Sequence, residues 1–226
     1  MLNDKELKLV IMELETESIS PEVYRYRTEY GLSVVYYMFD IQKLEGFIFE
    51  PIYLYTDDVE CLLECTGKTE KELFQIILGN TVAIMQTKII PYSVYLKGFE
   101  GRCSDRVRLE LIKRIIDAME ETEKESRLWC VTNTIEERGA TGCFHIPLLR
   151  SFCEKHSFQR LLIGVGNNDF AFLCSAEKEE MVHNMQVLVY EISHVIQNED
   201  KTVQRAVLEY DYEENELRTW QGNRNR

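Results

Sequence analysis

The sequence predicts an α+β fold with mainly antiparallel or mixed sheets and about four to five helices. Three observations lead to this prediction. Several segments carry apolar residues at spacings of three and four, as amphipathic helices do. Other segments are rich in β-branched and aromatic residues and are bounded by Gly, Pro or Asn, as strands are. The predicted strands come in neighbouring pairs with helices between the pairs, whereas a parallel sheet would show regular βαβ alternation.

The predicted helices begin at recognisable caps. Thr69 and Glu72 have the S/T-x-x-E form of a capping box, in which each side chain bonds the backbone N–H of the other residue. Pro147 suits the first turn of a helix, because a backbone N–H at that position would have no partner inside the helix. On this basis we predict helices over residues 4–15, 70–85, 105–126, 147–156 and 177–197.

The predicted strands are short and lie between turn-forming residues. The segment GNND at 166–169 separates two apolar runs and predicts a hairpin turn. We interpret Gly164-x-Gly166 as part of this hairpin and not as a dinucleotide-binding loop, because no helix follows it. We predict strands in the runs 31–41 and 46–55 and over residues 128–132, 142–146, 160–165, 170–175 and 207–212.

The length of 226 residues allows one large domain or two modest ones. We expect residues 1–226 to form a single α+β unit. The alternative is two lobes joined by a hinge near residues 97–102, where the sequence KGFEGR places two glycines among charged residues.

The charge of the chain narrows its choice of partners. Lys and Arg number 26 against 39 Asp and Glu, so the formal net charge is −13. A net-negative surface repels both a phosphate backbone and an anionic membrane, so we predict no nucleic acid and no membrane as partners. One segment opposes this excess, because residues 102–114 carry five basic side chains against two acidic ones.

The cysteines and the apolar runs indicate a cytoplasmic location. Seven cysteines, an odd number, lie scattered through apolar stretches, where a free thiol behaves as a small buried hydrophobe. We find no secretory signal and no apolar run of the roughly 20 residues that a membrane span requires. The sequence therefore predicts a chain that stays in a reducing compartment.

The order of segments in the C-terminal half resembles an uncharacterised bacterial domain-of-unknown-function family. The resemblance is carried by the VTN strand at 131–133, the GATG segment at 139–142, the helix and hairpin that follow, and the closing YDYEENEL at 210–217. It extends by segment order over roughly residues 30–220. The resemblance implies a bacterial protein and an expected fold, and it implies no activity and no catalytic residues.

One group of residues could carry metal or catalytic chemistry. Cys143 and His145 are followed by Cys153 and His156, and thiolate and imidazole are the ligands of tetrahedral zinc. Cys153 and His156 would share a helix face, whereas residues 143 and 145 on a strand would point to opposite faces. The competing interpretation buries both cysteines in the core. We predict no cofactor.

A second group interleaves aromatic and basic residues. It comprises Tyr24, Arg25, Tyr26, Arg27 and Tyr30, in the manner of a platform for single-stranded nucleic acid. Two arginines are too few for that role in a strongly acidic chain, so we do not assign it.

The sequence names no specific activity and does not fix the oligomeric state. We expect a soluble cytoplasmic bacterial protein that acts through protein–protein or regulatory contacts and is not an enzyme. The alternative is a Cys/His-dependent hydrolase or zinc-binding enzyme centred on residues 143–156. A further hypothesis is an acidic decoy that occupies the groove of a nucleic-acid-binding protein.

Overall fold

A computed structural model describes residues 4–16, 18–39, 51–100, 109, 110, 113, 128–176, 184–190 and 202–220. Over these residues the chain forms five helices, a further helical segment at 184–190 and two antiparallel sheets, so the predicted α+β class is confirmed. No helix in the described ranges is long and apolar enough to cross a membrane.

The first sheet has four strands with β3 at its centre. Its strands are β1 (Val10–Leu14), β2 (Arg25–Arg27), β3 (Ser33–Met38) and β4 (Ile52–Tyr53). One edge of β3 pairs with β1, and the other edge pairs first with β2 and then with β4. The SVVYYM sequence of β3 suits this central position, because β-branched and aromatic side chains pack well on a pleated surface.

The second sheet has six strands. They are β5 (Lys88–Pro91), β6 (Trp129–Thr132), β7 (Arg160–Asn167), β8 (Ala171–Ser175), β9 (Thr202–Asp211) and β10 (Glu216–Thr219). Their order across the sheet is β10-β9-β7-β8-β6-β5. The predicted turn between β7 and β8 is confirmed, and the Asn167 side chain holds it by accepting from the N–H groups of Asp169 and Phe170 at 2.8 and 2.9 Å.

Five helices are α1 (Asp4–Leu7), α2 (Thr56–Thr66), α3 (Glu70–Ile84), α4 (Tyr92–Glu100) and α5 (Ile146–His156), and residues 184–190 are also helical. The predicted capping box of α3 is confirmed. The Thr69 N–H donates to Glu72 at 2.8 Å, and the Glu72 N–H donates to the Thr69 hydroxyl at 3.3 Å. The predicted proline in the first turn of α5 is confirmed as well.

The two sheets share one hydrophobic core. Tyr36 of the first sheet and Leu161 of the second belong to the same cluster of buried side chains, together with Phe74 of α3. A second cluster lies around Tyr92 and Phe172, where α4 and residues 184–190 pack on the second sheet. The larger core therefore joins elements from both halves of the chain.

The predicted helix over residues 4–15 is wrong beyond its first turn. Helix α1 ends at Leu7, and Val10–Leu14 form strand β1, in which all five residues are buried. A strand buried on both faces needs apolar residues at consecutive positions, and such a run also satisfies helical spacing. Periodicity alone could not separate the two structures.

The predicted strand over residues 142–146 is also wrong. Ala140–Phe144 form a fully buried 3₁₀ turn, and His145 caps the helix that follows. The turn passes close to its neighbours, since a Cβ atom at Gly142 would collide with the side chains of Thr87 and Val131. Glycine is required there by packing and not by a strand.

Five other predictions extend beyond the described residues. Two of them are the strands in the runs 31–41 and 46–55, of which residues 40, 41 and 46–50 lie outside the described ranges. The segment 97–102, where the two-lobe alternative places its hinge, is helical as far as Glu100, and residues 101 and 102 lie outside the described ranges. The predicted helices over 105–126 and 177–197 also lie mostly outside them. Within these two segments, residues 109, 110, 113 and 184–190 are helical.

Candidate functional site

Side chains from other elements bond the edge of β1 that faces away from β3. The N–H of Met12 donates to the Thr81 hydroxyl at 2.9 Å, and the N–H of Leu14 donates to the Asn168 side chain at 3.1 Å. The Asn80 amide donates to two backbone carbonyls around the start of the strand. Helix α3 and the β7–β8 turn are thereby fixed to the first sheet.

A charge pair with a buried carboxylate and a partly exposed guanidinium lies at the same junction. Glu13 on β1 is 1% exposed, and its carboxylate lies 3.1 Å from the Arg138 Nε atom. The Asn168 amide donates to Glu13 at 2.8 Å, and the Tyr53 hydroxyl donates to the other carboxylate oxygen. Side chains from β4, from the segment that follows β6 and from the β7–β8 turn therefore meet at the Glu13 carboxylate of β1.

The loop at 133–139 presents Arg138 to this carboxylate. Arg138 and Glu136 both have positive φ angles, of 55° and 57°, which side chains with a Cβ seldom adopt. The N–H of Arg138 donates to Asp169 at 3.1 Å, and the Asn133 side chain bonds the backbone of the loop. These bonds hold the strained loop in place.

Burial dominates the chemistry of Glu13. Desolvation raises the pKa of the Glu13 carboxyl, and the Arg138 charge with the bonds from Tyr53 and Asn168 lowers it part of the way back. Glu13 is 1% exposed, and Arg138, Tyr53 and Asn168 already bond its carboxylate. The pair therefore joins the two sheets.

The predicted Cys and His residues serve the core and the caps. Cys143 is buried in the 3₁₀ turn, and Cys153 is buried on α5. The His145 Nδ1 atom accepts from the Leu148 N–H at 3.3 Å and so caps α5. His156 ends the same helix.

The surroundings of His156 are aromatic. Its ring centre lies 4.6 Å from that of Trp129 and 4.5 Å from that of Phe152. In the part of the chain that the structure describes, no three His, Cys, Asp or Glu side chains are grouped so that they could hold a metal ion.

The thiols lie where thiolate is disfavoured. Burial raises the pKa of Cys143 and raises that of Cys153 to about 12. Burial also lowers the pKa of His145. A nucleophilic or metal-binding thiol needs a depressed pKa, so the environment of these residues is that of a packed core.

Three half-buried tyrosines pack against the core that the two sheets share. We call Tyr24, Tyr26 and Tyr30, with Glu29 and Glu70, the tyrosine surface. The Tyr24 ring stacks on Tyr36 at 5.6 Å, Tyr26 on Phe74 at 4.9 Å, and Tyr30 on Phe144 at 5.7 Å.

The two carboxylates of the tyrosine surface lie beside its tyrosine hydroxyls. The Tyr24 hydroxyl donates to Glu70 at 2.8 Å, and Tyr30 bonds Glu29. Burial is the main cause that raises the pKa of both Tyr24 and Tyr30, and these carboxylates raise it further. The hydroxyls therefore stay protonated at neutral pH. Lys71 pairs with Glu29 at 3.7 Å, and both side chains are more than 60% exposed. The surface is therefore aromatic and acidic.

Strand alternation separates the tyrosines from the neighbouring arginine. Tyr26 stacks on Phe74, whereas Arg25 bonds Glu15 and four backbone carbonyls on the opposite face of β2. The interleaved aromatic and basic order of the sequence is therefore not an interleaved surface.

No family model, curated protein or solved structure matches this chain. The resemblance to a bacterial domain-of-unknown-function family stays a prediction.

Sequence reasoning missed the Glu13–Arg138 pair and only partly located the tyrosine surface. The sequence predicts a helix around Glu13, and an acidic residue among apolar ones on a helix faces solvent. The available signal was the spacing of Tyr24 and Tyr26, since residues two apart on a strand share a face. Glu70 could not be linked to them from the sequence, because it is 46 residues beyond Tyr24.

Proposed function

We propose that this chain acts through contacts with another protein, and that the tyrosine surface makes those contacts. The observation that carries the proposal is the row of three half-buried tyrosines, each stacked on an aromatic ring of the core. Tyrosine is enriched in protein interfaces and among the residues that dominate binding energy. Rings held by the core lose little conformational entropy when a partner binds.

The charge of the surface favours a basic partner. Glu29 and Glu70 lie among the tyrosines, and the whole chain carries a formal charge of −13. Complementary charge steers association and selects among partners. The same charges disfavour nucleic acid, and so does the position of Arg25 on the other face of β2.

A cytoplasmic location is part of this proposal. Six of the cysteines lie within the described residues, and all six are free thiols. Free thiols suit a reducing compartment. We propose no enzymatic function, because the burial of Cys143 and Cys153 gives no support to the alternative centred on residues 143–156.

Site-specific photocrosslinking tests the proposal. Benzoylphenylalanine would replace Tyr26 or Tyr30 in separate variants, and Tyr212, a half-buried tyrosine in the turn that follows β9, would be the matched control position. We expect both surface positions to give an adduct with the same protein, identified by mass spectrometry, and position 212 to give none.

A charge reversal makes the test specific. The adduct formed from position 30 should be lost in the Glu70→Lys variant and should weaken as the salt concentration rises. Absence of an adduct, or equal adducts from positions 30 and 212, would contradict the proposed function.

A further inference from the structure

The hydroxyl of Tyr36 lies beneath the tyrosine surface without a hydrogen-bond partner among the described residues. Tyr36 is 1% exposed, and the ring of Tyr24 covers it. Buried polar groups are nearly always hydrogen-bonded, because leaving one unpaired costs free energy. This hydroxyl can therefore gain a bond from any donor that reaches it.

The groups around Tyr36 are suited to a cation. Burial is the main cause that raises the pKa of Tyr36, and the neighbouring Tyr24, Tyr26 and Glu70 raise it further. The Glu70 carboxylate already accepts from Tyr24 at 2.8 Å, and a carboxylate can accept further bonds. Aromatic faces attract a cation placed within about 6 Å of the ring centre.

We infer that Tyr24, Tyr26, Tyr36 and Glu70 form a site for one arginine side chain of the partner, an inference that rests on the proposed function. The guanidinium lies against the tyrosine rings, donates to Glu70 and donates to the Tyr36 hydroxyl. Arginine fits better than lysine, because its planar fork of five N–H donors can stack on a ring and bond two acceptors at once.

Entry requires movement of one ring. Tyr36 is covered by Tyr24, which is itself half-buried, so Tyr24 has to turn aside for the guanidinium to reach the hydroxyl. Lys71 is the cation that pairs with Glu29 beside the site, and its side chain is 71% exposed. Exposed pairs of this kind are weak and are readily exchanged for a partner's charge.

Fluorescence anisotropy with defined peptides tests the site. The probe is a fluorescein-labelled peptide of alternating glycine and arginine, compared with peptides that carry lysine or glutamate in place of arginine. We expect the arginine peptide to bind, the lysine peptide to bind several-fold more weakly, and the glutamate peptide not to bind.

Two conservative substitutions report on the site. Glu70→Gln should weaken binding of the arginine peptide about tenfold, and Tyr36→Phe about fivefold, through loss of hydrogen bonds to a charged group. The matched controls are Glu154→Gln, which alters another glutamate bonded to a tyrosine, and Tyr92→Phe, which removes another buried hydroxyl without a partner in the described part of the chain. Neither control should change binding.

The outcomes separate this inference from the proposed function. Failure of the arginine peptide to bind, or binding that neither Glu70→Gln nor Tyr36→Phe weakens, would overturn the arginine site. If the photocrosslinks at Tyr26 and Tyr30 persist in that case, the protein-binding function stands with a different partner chemistry. Loss of the photocrosslinks as well would remove both.

Discussion

Glu13 and Arg138 form an ion pair in which the carboxylate is buried and the Arg138 side chain is 21% exposed, and each charge is compensated by the other. Removing a carboxylate or a guanidinium from water is expensive, and attraction in the interior offsets that expense only when the geometry is good. Here the Arg138 Nε atom lies 3.1 Å from Glu13, and Tyr53 and Asn168 bond the same carboxylate. The pair is therefore sensitive to the loss of one member.

The Arg138→Met variant should lose about 3 kcal/mol of unfolding free energy, because it leaves the Glu13 carboxylate buried without its counter-charge. Urea denaturation at neutral pH measures the loss. Arg150→Met is the matched control, since Arg150 pairs with Glu154 on the surface of α5 and its removal should change stability little. Equal losses in the two variants would contradict the role given to Arg138.

The pH dependence of stability should carry the signature of Glu13. Its folded-state pKa is raised above the ordinary value of 4.5, so the folded chain holds this proton more tightly than the unfolded chain does. The stability that the Glu13 proton contributes is therefore fully present below pH 4.5, and it is lost as the pH rises through the folded-state pKa.

The Glu13→Gln variant isolates this effect, because glutamine does not titrate. The unfolding free energy of the wild type minus that of Glu13→Gln should fall as the pH rises from 4.5. Denaturation curves of both proteins across this range measure the difference, and a difference that rises with pH would show that Arg138 lowers the pKa more than burial raises it.

At the scale of elements, local signals predicted structure well and tertiary contacts overrode them in two places. The capping box of Thr69 and Glu72 lies within four residues, and α3 begins where it predicts. Strand β1 follows from partners distant in sequence, since Asn168 bonds it from 154 residues away. No pattern inside residues 4–15 could report that partner.

Two glycines differ in whether neighbouring atoms leave room for a Cβ atom. A Cβ atom at Gly139 would lie 2.8 Å from the Asp169 carbonyl oxygen and 2.8 Å from the Thr132 Cα atom, whereas nothing lies within 4 Å of one at Gly79 in α3. Gly139→Ala should therefore lose about 2 kcal/mol or more through overpacking. Gly79→Ala should gain about 0.5–1 kcal/mol, since alanine favours a helix interior.

Thermal and urea denaturation of both glycine variants measure these changes. A Gly139→Ala protein as stable as the wild type would show that the β7–β8 turn can shift away from the loop at 133–139.

At the scale of the whole molecule, the shared core makes the two sheets depend on each other. Tyr36 and Leu161 belong to one buried cluster, and Arg138 reaches across the junction. We expect one cooperative unfolding transition. Hydrogen exchange followed by mass spectrometry should give β3 and β7 the same free energy of opening, and Arg138→Met should lower both equally. Independent opening of the two strands would instead support two lobes.

The surface chemistry was predictable only in part at this scale. The sequence singled out the segment from Tyr24 to Tyr30 and the net negative charge, and both enter the tyrosine surface. Its composition depended on the fold, because the strand places Arg25 on the far face and α3 brings Glu70 beside Tyr24. The Cys and His residues at 143–156 attracted attention by residue type, and the fold uses them for packing and capping.

The bonds to β1 determine the order in which the two sheets can fold during synthesis. A ribosome releases the chain from its N-terminus, so Glu13 emerges long before Arg138, and 155 residues before Asn168. Until then the nascent first sheet has an uncompensated carboxylate and one strand edge without its Asn168 partner. The first sheet is therefore expected to reach its final form only after Arg138 and Asn168 have been synthesised, when the second sheet can dock against it.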